Sequence, residues 1–177
     1  RLTPVLGLDM NQPVYQVKKT IFTALGLFIL DAFVMNQGAI AVITGVAIVL
    51  WLLPKSVIMK YKNKSARVPF TKAAIYGAMV LFVFLANYSN NKLARHRAEN
   101  LIVAIEKYHQ EKGHYPEKLS NLVPEYISNI PLAKYTLMSN EFRHINQKDT
   151  QALFYVALLP FGRPTYSFNR QMWGYID

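Results

Sequence analysis

The sequence predicts a chain in two parts: an α-helical membrane domain with three transmembrane helices, then an α+β domain in which a long helix packs on a small antiparallel sheet. Three observations predict it. Three apolar runs succeed one another in the first half of the chain. An amphipathic stripe at helical spacing continues out of the third run. The C-terminal stretch alternates short β-prone runs with turn residues.

Composition supports a boundary near Asn90. Residues 1–91 carry nine Lys or Arg and two Asp or Glu, whereas residues 92–177 carry eleven and eight. The first part is apolar with basic islands; the second has the mixed charge of a domain in water. The net charge of +10 is explained by basic residues flanking apolar runs. No basic patch interleaves with aromatics in the manner of a nucleic-acid module, so no nucleic-acid partner is expected. The chain has no cysteine, which excludes disulfides and thiol chemistry from it. It opens on Arg1, as expected of a processed chain or of a segment of a longer one.

The segment before the first run, residues 1–19, contains Pro4 and Pro13 without a clear period and is expected to be an irregular or interfacial arm. The transmembrane helices are expected at about residues 20–36, 39–54 and 70–90, each near the roughly 20 apolar residues that cross a bilayer. Asn36, Gln37 and Gly38 separate the first two as a tight uncharged turn. The next connection carries Lys55, Lys60, Lys62, Lys64, Arg67 and Lys72, and Lys18 and Lys19 precede the first run. The positive-inside rule puts these basic segments in the cytoplasm. The N-terminus is then cytoplasmic and everything after Tyr88 lies beyond the membrane.

Asp31 is the single acid inside a run and is the candidate functional polar residue of the membrane part. No second acid lies in the other runs to complete a relay. Ala41 and Gly45, and Ala73 and Gly77, are small residues four apart, a spacing that lets helices approach closely in lipid. Trp51, Tyr61 and Tyr88 stand near run ends, where such rings favour the interface.

Beyond the membrane, Ala94, Ala98, Leu101, Ile105 and Tyr108 form one helical face. Nothing interrupts the helix before Gly113, a residue suited to a left-handed helix end. Pro116 then turns the chain into an extended exit. A short helix or turn comes next, dropping Leu119, Leu122 and Val123 onto the core. Strands are expected at residues 152–159, 165–169 and 172–176, the last two joined by a turn at Arg170 and Gln171. A weaker strand is expected within residues 135–143. Most of Tyr108, Tyr115, Tyr126, Tyr155, Tyr166 and Trp173 are expected in the core.

The pattern AxxxAxxLxxAIxxYxxxxGxYPxxLxxLVPxYI, from Ala94 to Ile127, with antiparallel strands after it, resembles type IV pilins and the major pseudopilins of type II secretion. The resemblance covers about residues 70–177 and is most specific over residues 101–123. It implies a pilin-like periplasmic domain whose turn is built by Gly113, Tyr115, Pro116, Leu119 and Leu122. The chain departs from the family elsewhere. Phe70 and Thr71 match the mature pilin start, but Pro69 precedes them and Ala74 stands in place of the glutamate. Two membrane runs come first, so prepilin processing is not expected. The calcium site of pseudopilins is not expected either, because Glu141, Asp149 and Asp177 form no cluster.

No catalytic constellation is legible. His96, His109, His114 and His144 have no metal-ligand spacing, and no phosphate-binding glycine loop or nucleophile motif occurs. The expectation is a non-catalytic subunit or assembly factor of a bacterial inner-membrane complex, secretion- or pilus-related. It would bind membrane lipid and protein partners, with no cofactor and no metal. The alternatives are an accessory subunit of a larger membrane enzyme or transporter, clamping its partner through Asp31 or the helical hairpin, and an independent envelope enzyme.

Overall fold

The computed structural model describes residues 12–35, 38–147, 150–157 and 162–176. Its element order is three helical segments, a short 3₁₀ turn and four strands. The chain divides into two compact units, residues 1–29 with 39–82 and residues 30–38 with 83–177.

The first unit is helical. The first helix spans Gln12–Ile29 and continues as a π-helical turn, Leu30–Met35, that belongs to the second unit. The expected irregular arm is therefore helical from Gln12, with Pro13 in its first turn, where a missing N–H costs nothing; residues 1–11 lie outside the described residues. The second helix spans Ala39–Tyr61, and includes part of what the sequence suggested was a connection. It holds a π-helical turn at Ile48–Leu52, one residue short of Pro54. Proline removes one N–H and crowds the carbonyl four residues back, and the widened turn relieves both. Gly38, just before this helix, has φ +64°, which suits the expected turn; Asn36 and Gln37 lie outside the described residues.

Among the described residues two helices are long and apolar enough to cross a membrane, Ala39–Tyr61 and Arg67–Lys112. The first run does not reach that standard. Lys18 and Lys19 on one side and Asp31 on the other leave only residues 20–30 uncharged. The second helix is the more telling: in its most apolar 18-residue window 6% is buried. A core helix of a soluble domain would hide that surface. Polar side chains here bond back to their own helix: Thr20 Oγ1 donates to the Gln16 carbonyl at 2.8 Å and Ser56 Oγ to that of Leu52 at 2.7 Å. Such bonds satisfy a hydroxyl where water is absent. The first helix runs parallel to the long one: Lys72 Nζ donates to Gln16 Oε1 at 3.2 Å, and Phe28 meets Phe82 edge-on at 6.5 Å.

The second unit is built on the later turns of the long helix. Ala94, Ala98, Leu101 and Ile105 are almost wholly buried, with Tyr108 packed against them. Facing them is a four-stranded antiparallel sheet in the order β1-β2-β3-β4, comprising β1 Arg143–Gln147, β2 Thr150–Phe154, β3 Arg163–Ser167 and β4 Met172–Ile176. His144, Leu153, Tyr166 and Trp173 stand in register across the four strands. Residues in one such row share a face, and this one packs against the helix: Leu153 is buried in the core and Tyr166 and Trp173 pack on it.

The weak strand expected within residues 135–143 is not formed; pairing begins at Arg143. Residues 131–140 instead bond among themselves, to the end of the first helix and to side chains within the long helix, which leaves no ladder for an extended strand. The strand expected at residues 152–159 ends at Phe154, and residues 158–161 lie outside the described residues. β4 matches the expected bounds, and Gln171 takes φ +51° in the turn before it.

Candidate functional site

Residues 131–140 form the joint of the second unit. The first helix ends with carbonyls that have no partner inside the helix. Leu137 N–H donates to the Phe33 carbonyl at 2.9 Å and Met138 N–H to that of Val34 at 3.1 Å. On the other side, Tyr135 N–H donates to Asn90 Oδ1 of the long helix at 3.4 Å. Arg97 donates to the Leu132 carbonyl at 2.7 Å and to the Tyr135 hydroxyl, with its guanidinium 4.4 Å from the centre of that ring. The segment closes on itself through Ala133 N–H to the Asn140 carbonyl at 2.7 Å and Asn140 Nδ2 to the Thr136 carbonyl at 2.8 Å.

Lys134 lies at the centre of this joint. Its side chain is fully buried, and Nζ donates to the Ala157 carbonyl at 2.8 Å. Burial favours the neutral amine and pushes its pKa down to about 7. A neutral amine is chemically competent as a base. Here it is closed from solvent and spent on a main-chain carbonyl, so its role is to hold the β2–β3 connection. No local pattern marks it in advance: a lysine between Ala133 and Tyr135 reads as a solvated surface charge.

Asp31 is fully buried in the π-helical turn Leu30–Met35, within the second unit. Asn87 and Asn90 of the long helix are also buried, with Asn87 Nδ2 bonded back to the Val83 carbonyl at 3.2 Å. His144 is half-buried in β1 with its ring 6.0 Å from that of Phe168 and neither nitrogen hydrogen-bonded among the described residues; burial holds its pKa below the usual imidazole value.

Gly113, Tyr115, Pro116, Leu119 and Leu122 come together as a turn. Gly113 has φ +74° and its N–H donates to the His109 carbonyl at 2.9 Å, ending the helix at Lys112. Tyr115 stacks on His109 with ring centres 4.0 Å apart. Pro116 and Leu122 are fully buried, and Leu119 packs on the core from the 3₁₀ turn Leu119–Leu122. Asn146 of β1 donates to the Tyr115 and Pro116 carbonyls at 3.1 and 3.3 Å, clamping the turn to the sheet. In the first unit Ala41 and Ala73 are buried, while a Cβ at Gly45 or Gly77 would meet nothing within 4 Å.

Among the described residues no three His, Asp or Glu side chains stand close enough to hold a metal ion; Asp149 and Asp177 lie outside them. What the second unit does offer is surface. β4 is an edge strand, with Met172 57%, Tyr175 75% and Ile176 40% exposed. Its Trp173 is held from below by Arg95, whose guanidinium lies 3.6 Å from the ring centre.

Comparison with protein-family models, with curated proteins and with solved structures finds no match to this chain.

Proposed function

We propose that the chain is a non-catalytic subunit or assembly factor of a bacterial inner-membrane complex, with a pilin-like interaction domain in the periplasm. In this reading the three helical segments are three passes, with the N-terminus and the basic connection in the cytoplasm. The parallel course of the first helix beside the long one, from Gln16 and Lys72 to Phe28 and Phe82, supports the third pass.

The observation that carries the interaction role is the apolar edge of the sheet. An edge strand presents unpaired N–H and C=O groups, and proteins that stay alone blunt it with charge, proline or a covering element. β4 carries Met172, Trp173, Tyr175 and Ile176 and no charge. Such an edge accepts a strand from another chain. The secretion or pilus setting comes from the Gly113 to Leu122 turn and the helix-on-sheet arrangement that the pilin resemblance led us to expect.

The test is affinity capture of the full chain from native membranes in mild detergent, beside Tyr175→Lys, with the co-purifying proteins identified by mass spectrometry. Secretion or pilus components that co-purify with the native chain and are lost with Tyr175→Lys support the reading. A respiratory, transport or biosynthetic complex that co-purifies equally with both assigns the role to the helices and overturns it.

A further inference from the structure

The first unit holds an open apolar cleft of about 810 Å³, within the size range of small-molecule sites, about 300–1,000 Å³. Its walls include Leu27, Ile43, Ile48, Leu52, Val68 and Tyr76. Two cations, Lys55 and Lys72, line it as well, and no Asp or Glu among the described residues does. The partners seen for these cations are neutral: Lys72 donates to Gln16, and Lys55 lies 5.6 Å from the centre of the Trp51 ring. The chain has no acidic residue between Asp31 and Glu99, so this stretch supplies neither lysine with a carboxylate. An apolar cleft lined by two cations that have no carboxylate partner among the described residues is complementary to an amphiphile with an acyl chain and an anionic head.

We infer that this cleft binds one acyl chain of an anionic phospholipid, with the lipid phosphate held between Lys55 and Lys72. The inference rests on the membrane reading given above. Lys60, Lys62 and Lys64 do not line the cleft; they attract anionic lipid to the surface without selecting a bound molecule.

The test is native mass spectrometry of the full chain in dodecyl maltoside, with dioleoyl phosphatidylglycerol and dioleoyl phosphatidylcholine at equal concentration. The expected result is retention of phosphatidylglycerol over phosphatidylcholine by roughly tenfold or more. Lys55→Gln with Lys72→Gln brings the ratio towards unity, Ala47→Trp lowers retention of both lipids, and a Lys60, Lys62, Lys64→Gln triple variant keeps the preference. Equal retention by the native chain overturns the inference without any variant. So does a preference that survives the Lys55 and Lys72 pair and falls with the triple, or binding of inorganic phosphate alone as tight as that of the lipid. Extraction of native membranes with alkaline carbonate separates the two readings: a chain released by it overturns the membrane reading and the cleft together, whereas an integral chain without lipid preference overturns only the cleft.

Discussion

Lys134 places its ammonium nitrogen 2.8 Å from the Ala157 carbonyl oxygen while its side chain is fully buried. One long basic side chain thereby ties the residue 131–140 joint to Ala157 in the β2–β3 connection, at the cost of removing an amine from water.

That cost depends on pH. The folded pKa of Lys134, about 7, lies below its ordinary 10.5, so between these values the unfolded chain binds more protons than the folded one. Stability therefore rises with pH across that window, and the penalty is complete below about 7. Lys134→Met removes the rise, by on the order of a few kcal/mol across the window, and leaves the Ala157 carbonyl unpaired at about 1 kcal/mol. Thermal unfolding in detergent from pH 6.5 to 10 checks this; parallel curves for native and variant chains would refute it.

His144 acts at lower pH. Burial lowers its pKa beneath the ordinary 6.5, so the folded state is favoured while the ring is neutral and loses stability as pH falls below about 6.5. In His144→Phe that acid loss is reduced. The measurement is hydrogen exchange of β1 and β2 amides at pH 5 and 7.

Gly113 holds φ +74° with open space where a Cβ would stand. Only backbone strain opposes a side chain there. Gly113→Ala is expected to cost about 1 kcal/mol, and Gly113→Asn less, because asparagine tolerates the left-handed region. Chemical unfolding of the three chains ranks them.

Ile105 is fully buried on the helix face that meets the sheet. Ile105→Ala opens a cavity there and is expected to destabilise the second unit by about 2–5 kcal/mol. Exposed Val103, off that face, changes stability by less than about 0.5 kcal/mol on the same truncation. A comparable loss at both positions would remove the packing assignment.

Arg95 lies 3.6 Å from the centre of the Trp173 ring and 3.4 Å from Glu99. Arg95→Gln removes the cation from the ring face at about 0.5–1 kcal/mol, and shifts Trp173 emission. A Trp51→Phe background isolates that signal, since the chain has two tryptophans.

Much of the second unit was legible because its signals are local. The stripe from Ala94 to Tyr108 has the period of a helix, Gly113 has the backbone freedom a helix end requires, and residues 172–176 are a short β-prone run that follows a turn at Arg170 and Gln171. The joint was not legible. Residues 131–140 are held by Phe33, Val34, Asn90 and Arg97, partners distant in sequence whose hydrogen bonds leave no periodic trace. The weak strand expected within residues 135–143 gives way to these tertiary hydrogen bonds, which use the backbone groups a ladder would need.

By itself the sequence determined that the chain is apolar and helical first and mixed in charge later, and where the long helix stops, because hydropathy, charge and glycine act within a few residues of themselves. Only the tertiary structure decided that Asp31 and Lys134 are buried, that four strands pair in chain order with an apolar edge at β4, and that two lysines far apart in sequence line one cleft. Burial and pairing depend on which distant atoms displace water from a group, and that is fixed when the chain folds.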